Sequence, residues 1–116
     1  AAVVFLSESL RMESQGKIKV TTVRPTGVPA TGLGSGIVNP EAVSGLLGSN
    51  TAAYLSKFEA AAAGQLPASH LDINDIEYFA LDPSSLADQI VHTINQPWGV
   101  AITDITVRAS GDGYIL

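Results

Sequence analysis

The stretch most suited to holding a ligand is the loop over residues 25–33, which directly follows a strand-like stretch at residues 17–23. The loop contains the hydroxyls of Thr26 and Thr31 and the backbone of Gly27. A hydroxyl can hydrogen-bond a carboxamide or a phosphate, and glycine lets the backbone approach a flat ring closely. Open α/β sheets hold ligands at the carboxyl ends of parallel strands. Spacing alone favours an ordinary Pro/Gly turn slightly over a ligand loop, so both interpretations stay open.

Two other clusters suggest chemistry but lack the required spacing. The alternate glycines of residues 32–36 suggest a nucleotide loop, but the dinucleotide fingerprint needs its third glycine at position 37, where the chain has isoleucine. We interpret this run as a flexible linker to a lid. His70 with Asp72 and Asp75 suggests a metal site, but no second histidine lies four residues away. We therefore assign no metal ligand.

The elements that position the 25–33 loop are predicted from apolar periodicity and capping residues. In order they are a helix over 1–15 stopping at Gly16, a strand over 17–23, a short helix from Asn39 interrupted by Gly45 and Gly48, a helix over 52–63 stopping at Gly64, a helix starting at Asp82, and a strand over 100–108. Alternating helices and strands predict a parallel sheet. Two parallel strands alone do not make a stable sheet, so we expect the chain to be the carboxyl-terminal part of a larger α/β fold.

Apolar side chains outside the strands are predicted to be buried. The irregular stretch over 65–82 offers Leu71, Ile73, Ile76, Tyr78 and Phe79 as anchors, and the helix from Asp82 offers a stripe of Leu86, Ala87, Ile90, Val91 and Ile94. Trp98 is interpreted as a packing anchor rather than a platform for substrate.

Composition limits the class of protein. The chain of 116 residues is long enough for one domain, with 46% apolar residues, 15% charged residues and a net charge of −5. This acidic balance argues against a nucleic-acid partner. No apolar run reaches about 18 residues, so we predict no membrane span. The absence of cysteine fits a reducing compartment, and we expect a cytoplasmic protein.

The loop and the segments around it together resemble the short-chain dehydrogenase/reductase family. Residues 25–31, Pro-Thr-Gly-Val-Pro-Ala-Thr, are similar to the family's P-G-x-V-x-x-T loop, with Thr26 at the place of its first glycine. Residues 1–11 are similar to the segment just after the family's catalytic Tyr-x-x-x-Lys. Residues 82–97 resemble the penultimate helix and its following turn, and residues 100–108 resemble the seventh strand.

The resemblance implies an α/β fold, the C-terminal part of a Rossmann-type doubly wound parallel sheet, with the last two strands and their flanking helices. Residues 1–116 would belong to one such domain, with a substrate-binding lid over 32–64 and the last helix, strand and tail over 82–116. It also implies NAD or NADP as cofactor. The residues implied to bind the cofactor are Pro25, Thr26, Gly27, Val28 and Thr31, and those implied to line the substrate pocket are Leu33, Ile37 and Val38.

The function implied by the resemblance is hydride transfer between the nicotinamide cofactor and a small alcohol or ketone. The family's catalytic residues would lie upstream, so none is assigned to this chain. The expected partners are the upstream half of the same enzyme and further copies in a homotetramer. The alternative is a non-enzymatic α/β binding or assembly module that retains only the second half of the fold.

Overall fold

A computed structural model describes residues 1–115 of the chain. Leu116, at the end of the predicted tail, lies outside the described residues. The elements are α1 (Ala2–Glu13), β1 (Thr22–Pro25), α2 (Glu41–Leu47), α3 (Thr51–Ala62), α4 (Pro83–Ile94) and β2 (Asp104–Val107), with 3-10 turns at Gly34–Gly36, Gly48–Asn50 and Ala68–Leu71. They form two compact units. The sheet unit comprises Ala1–Pro25 and Ser84–Val107, and the helical unit comprises Thr26–Pro83 and the chain from Arg108 onward.

The sheet unit contains a two-stranded parallel sheet, as the alternation of helices and strands predicts. β1 pairs with β2 in a register that sets Thr22 opposite Asp104 and Pro25 opposite Val107. Pro25 is the last paired residue, which fits its lack of a backbone donor. The α/β class and the parallel pairing are therefore confirmed.

Both strands are shorter than predicted. The amides of Lys17 and Ile18 donate to the carbonyl of Ser14, so the turn that follows α1 extends into the predicted strand over 17–23. At the start of the predicted strand over 100–108, the amide of Val100 donates to Pro97 in a turn. The ammonium of Lys19 donates to the carbonyls of both Pro97 and Val100, at 2.6 and 2.5 Å, which holds that turn in place. The residues at the start of both predicted strands are thus held in turns and do not pair.

The helix ends follow the glycines in most cases. Gly16 and Gly64 have φ values of +79° and +69°, in the left-handed region where glycine is favoured, and each follows a helix as predicted. Gly45 lies inside α2 and does not interrupt it. Gly48, with φ of +55°, ends that helix instead.

The core of the helical unit is a cluster of aromatic rings around Tyr54 of α3. Tyr54 packs edge-on against Phe58, Phe79 and Tyr114, with ring centroids 5.0, 6.1 and 5.2 Å apart. Leu47 and Phe79 are the largest side chains that are fully buried. Such edge-to-face aromatic pairs are each worth about 0.5–1.5 kcal/mol beyond their burial.

Of the anchors predicted over 65–82, Phe79 is buried and Tyr78 is half-buried, whereas Leu71, Ile73 and Ile76 are exposed. The prediction is wrong for these three. The backbone of this segment closes on itself, because the amide of Phe79 donates to the carbonyl of His70. This closure leaves the three intervening apolar side chains on the surface of the segment.

The apolar faces of α1 and α4 are largely uncovered within residues 1–115. No residue of α1 is buried, and the side chain of Phe5 is 74% exposed. On α4 the predicted stripe is half-buried at Leu86 and Ile90 and exposed at Ala87, Val91 and Ile94, so the prediction of a continuous buried stripe is wrong. Among residues 1–115, no helix combines the length and apolar character needed to cross a bilayer.

Candidate functional site

The loop that follows β1 begins with a buried polar network. Thr26 is only 6% exposed, and its hydroxyl donates to Oδ2 of Asp112 at 2.7 Å. The Asp112 side chain is 1% exposed, and its Oδ1 accepts from the guanidinium of Arg108 and from the backbone amide of Tyr114 at 3.2 Å. Arg108 also donates to the carbonyl of Tyr114 at 2.5 Å. The Thr26 hydroxyl therefore fixes the start of the loop and has no proton left to donate to a ligand.

Gly27 is required by the aromatic side chains beside it. A Cβ at this position would lie 2.9 Å from Cε2 and Oη of Tyr114 and 3.0 Å from Oη of Tyr54. Any side chain here would displace a ring. The Gly27 backbone is thus closely approached, and the groups that approach it in this structure are the phenol side chains of Tyr54 and Tyr114 in the same unit.

The Tyr54 phenol is strongly perturbed by its surroundings in the core of the helical unit. Its hydroxyl is buried and makes no hydrogen bond of ordinary geometry within the described residues, although the Tyr114 hydroxyl lies close enough to interact with it. Burial raises the pKa of Tyr54 well above its ordinary value, and the neighbouring Tyr114 phenol and Asp112 carboxylate raise that pKa further. Tyr54 is therefore neutral at physiological pH and contributes shape rather than charge beside Gly27.

The second half of the loop presents backbone donors. Thr31 donates its hydroxyl to the carbonyl of Val28 at 2.7 Å and accepts a long bond of 3.5 Å from the amide of Leu33. Val28 is buried, so this brace is anchored. Within residues 1–115 the backbone N–H groups of Gly27, Val28 and Ala30 donate no hydrogen bond, whereas the Thr31 amide faces the Val28 carbonyl across the turn at residues 29–30. Successive free N–H groups in a turn suit a carboxamide or phosphate oxygen, which is the chemistry that a nicotinamide cofactor would need here.

An open groove of about 500 Å³ lies next to the loop in the same unit, between the Gly34–Gly36 turn, α2 and α3. It is lined by Gly34, Ile37, Pro40, Glu41, Val43, Ser44, Leu47, Thr51 and Leu55. Of the three residues expected to line a substrate pocket, Ile37 lines this groove. Leu33 and Val38 do not line it, and both are exposed, Val38 to 97%.

The carboxylate closest to His70 is that of Glu77. Nε2 of His70 lies 3.5 Å from Oε2 of Glu77, which also accepts the hydroxyl of Ser69 at 2.6 Å. Asp72 and Asp75 instead accept backbone amides two residues ahead, from Asn74 and Glu77. In the part of the chain that the structure describes, no group of three or more acidic or histidine side chains could hold a metal ion.

Sequence reasoning missed the residues that frame the loop from elsewhere in the chain, namely Tyr54, Arg108, Asp112 and Tyr114. The spacing between Arg108 and Asp112 was a usable signal for an ion pair, but nothing local links Asp112 to a threonine 86 residues away. The glycines on either side of Asp112 were a further signal, because Gly111 and Gly113 both lie where a Cβ would crowd neighbouring atoms.

Comparisons with known proteins found no relative: no family model, no curated protein and no solved structure matches the chain. The resemblance to short-chain dehydrogenases/reductases therefore stays a prediction, and the function must be argued from the loop and the sheet.

Proposed function

We propose that the chain is the carboxyl-terminal part of an NAD(P)-dependent oxidoreductase of the short-chain dehydrogenase/reductase type, acting on a small alcohol or carbonyl compound. One observation carries the proposal. The chain leaves the parallel strand β1 at Pro25 and enters a loop whose backbone N–H groups at Gly27, Val28 and Ala30 have no partner within residues 1–115. Free donors just past the carboxyl end of a parallel strand suit a ligand with carbonyl or phosphate oxygens.

The sheet supports the wider fold in this proposal. Two parallel strands need further strands beside them and helices on both faces. The exposed apolar faces of α1 and α4 offer surface for that cover, with Phe5 and Ile94 both more than two-thirds exposed at 74% and 72%. A doubly wound Rossmann-type sheet, to which β1 and β2 contribute the last two strands, would provide strands and helices in the required places.

Each part of the chain has a distinct role in the proposed enzyme. Pro25 and Thr26 set the direction of the loop, Gly27 and Val28 present backbone donors to the carboxamide and the adjacent phosphate, and Thr31 braces Val28. Ile37 lines the groove for substrate, and Leu33 and Val38 belong to the lid over 32–64. When bound, the cofactor supplies the hydride chemistry, and this chain orients it. The residues that move protons lie upstream of the chain.

Assembly follows from the same exposed surface. Val3, Phe5 and Leu6 on α1 are each at least 66% exposed, which is unusual for large apolar side chains clustered on one helix. We propose that the upstream half covers part of this surface and that other copies cover the rest in a homotetramer. The same surface is the observation that favours the alternative, a non-enzymatic assembly module.

The test compares cofactor affinity in loop variants of the full protein, the chain together with its upstream half. Thr31→Ala and Thr31→Val remove the hydroxyl that braces Val28, a bond worth about 0.5–1.5 kcal/mol. We expect about two- to tenfold weaker binding of NADH or NADPH. Ser35→Ala is the matched control, because the Ser35 hydroxyl also donates to a carbonyl three residues back, that of Gly32, at 2.8 Å. Its affinity should not change.

Two outcomes would contradict the proposal at different levels. Equal affinities for the wild type and both Thr31 variants would remove Thr31 from the site. If the full protein bound neither dinucleotide, the oxidoreductase assignment would fail and the assembly module would be the better interpretation.

A further inference from the structure

A second cavity lies entirely within the sheet unit and concentrates positive charge in an acidic chain. It encloses about 350 Å³ and is lined by Arg11, Gln15, Gly16, Lys17, Ile18, Lys19, Val20, Trp98, Gly99, Ala101 and Thr103. Three of the six lysines and arginines of the chain line it, and no acidic residue does. Its volume is in the range of small-molecule sites. A chain with net charge −5 thus has one cavity whose charged lining is entirely cationic.

Lys19 and Trp98 form a fixed wall of this cavity. The Lys19 ammonium donates to two carbonyls of the 97–100 turn and lies 5.1 Å from the centre of the Trp98 ring. A cation above an indole face is attracted to its π electrons and orients the ring. The Trp98 side chain is nevertheless 77% exposed, so the packing anchor expected from the sequence is wrong. The indole instead offers apolar area beside the cavity.

Lys17 and Arg11 supply the charge that a ligand could use. Lys17 forms no ion pair within residues 1–115. Arg11 pairs with Glu8, with Nη2 2.9 Å from Oε2, but both side chains are substantially exposed, at 39% and 50%. Exposed pairs of this kind contribute little and exchange readily with other anions. The cavity therefore has one unpaired ammonium and one guanidinium that can turn toward a ligand.

This cavity is separate from the proposed nicotinamide loop. Its lining residues at 18–20 precede β1, and Ala101 and Thr103 precede β2, so it lies at the amino ends of the strands. The loop follows the carboxyl end of β1 at Pro25. The cavity and the loop therefore share no lining residue.

We propose that this cavity binds a small planar organic anion. Its carboxylate or phosphate pairs with Lys17 and Arg11, and its apolar ring lies against the Trp98 indole. Lys19 is a positioning residue, because two of its donors already hold the turn that carries Trp98. Charge-assisted hydrogen bonds supply the selectivity for an anion, and the aromatic contact selects a planar body.

The experiment titrates the full protein with four probes: benzoate, phenyl phosphate, the neutral isostere benzamide, and acetate, which has no ring. Calorimetry gives the affinities. The fluorescence emission of Trp98, taken as the difference between the wild type and Trp98→Phe, reports whether the probe binds beside this residue. Trp98 is the only tryptophan of these 116 residues. We expect the two aromatic anions to quench it saturably, with benzamide and acetate at least about tenfold weaker, and affinities that fall with added salt. The benzoate and phenyl phosphate arms distinguish a carboxylate from a phosphate ligand.

Charge variants make the test specific. Lys17→Gln should weaken benzoate binding about three- to tenfold, whereas Lys17→Arg should retain it. Lys57→Gln in the helical unit is the matched control, since it makes the same change in net charge and should leave the affinity unchanged. The proposal is overturned if benzamide binds as well as benzoate, if Lys57→Gln weakens binding as much as Lys17→Gln, if Trp98→Phe leaves the emission response intact, or if no aromatic anion binds.

Discussion

Replacing Tyr54 by phenylalanine should stabilise the protein, which is the reverse of what truncating a core side chain usually does. The ring of Tyr54 packs against three other aromatic rings, and a phenylalanine ring at the same position would retain those contacts. The hydroxyl is buried without a hydrogen-bond partner in the described residues, on a side chain that is 4% exposed. An unsatisfied buried polar group costs about 1–3 kcal/mol. Allowing for lost packing of the oxygen, we expect a gain of about 1 kcal/mol in the free energy of unfolding at neutral pH.

The pH dependence gives an independent check with a defined sign. Burial, Tyr114 and Asp112 raise the pKa of Tyr54 in the folded state, whereas a tyrosine in the unfolded chain ionises near pH ~10. Above that pH the unfolded state releases a proton that the folded state retains, so stability falls as the pH rises. The loss is up to about 1.4 kcal/mol per pH unit, and Tyr54→Phe should abolish this contribution.

The assay is equilibrium unfolding in urea of the full protein, at neutral pH and at several alkaline values. Tyr78→Phe is the control at neutral pH, because Tyr78 is only half-buried and its change should stay within about 0.5 kcal/mol. If Tyr54→Phe lost more than about 1 kcal/mol at neutral pH, the predicted cost of the Tyr54 hydroxyl would be refuted. If the alkaline loss persisted undiminished in that variant, Tyr54 would not be its source.

Two further predictions concern the start of the loop. Gly27→Ala should cost about 1–3 kcal/mol of unfolding free energy, because the new Cβ would lie 2.9 Å from the Tyr114 ring. Adding Tyr114→Leu to this variant should recover part of the loss. Equal losses in the single and the double variant would contradict the steric reason. Asp112→Ala should lower the unfolding free energy by about 1.5–3 kcal/mol, because it removes the acceptor that Arg108 shares with the buried Thr26 hydroxyl. A change below about 0.5 kcal/mol in urea unfolding would contradict this prediction.

The sequence predicted those features of the fold that depend on local geometry. Gly16 and Gly64 follow helices because a left-handed residue there is easy only for glycine. Pro25 is the last residue of its strand because it has no N–H to donate. The alternation of helices and strands was enough to predict the parallel pairing of β1 with β2.

Features that depend on distant residues could not be predicted in this way. Lys19 holds a turn at Pro97, 78 residues further along the chain, and that contact accompanies the shortening of the predicted strands. Thr26 was predicted as a ligand residue from its hydroxyl and from the resemblance of its loop, yet that hydroxyl donates to Asp112. Whether an apolar helix face is covered depends on the surface that packs against it, and for α1 the sequence of the helix does not contain that information.

The most direct test of the proposed function observes the loop itself when cofactor is added. In the full protein labelled with ¹⁵N, titration with NADH or NADPH should shift the amide resonances of Gly27, Val28 and Ala30, whose N–H groups have no partner within residues 1–115. The amides of Lys17 and Ile18, which donate to the Ser14 carbonyl ahead of β1, should keep their resonances unchanged. Saturable shifts in the loop are the predicted result. If the full protein bound a dinucleotide while the resonances of these three loop residues did not move, or bound none at all, the proposed function would be contradicted.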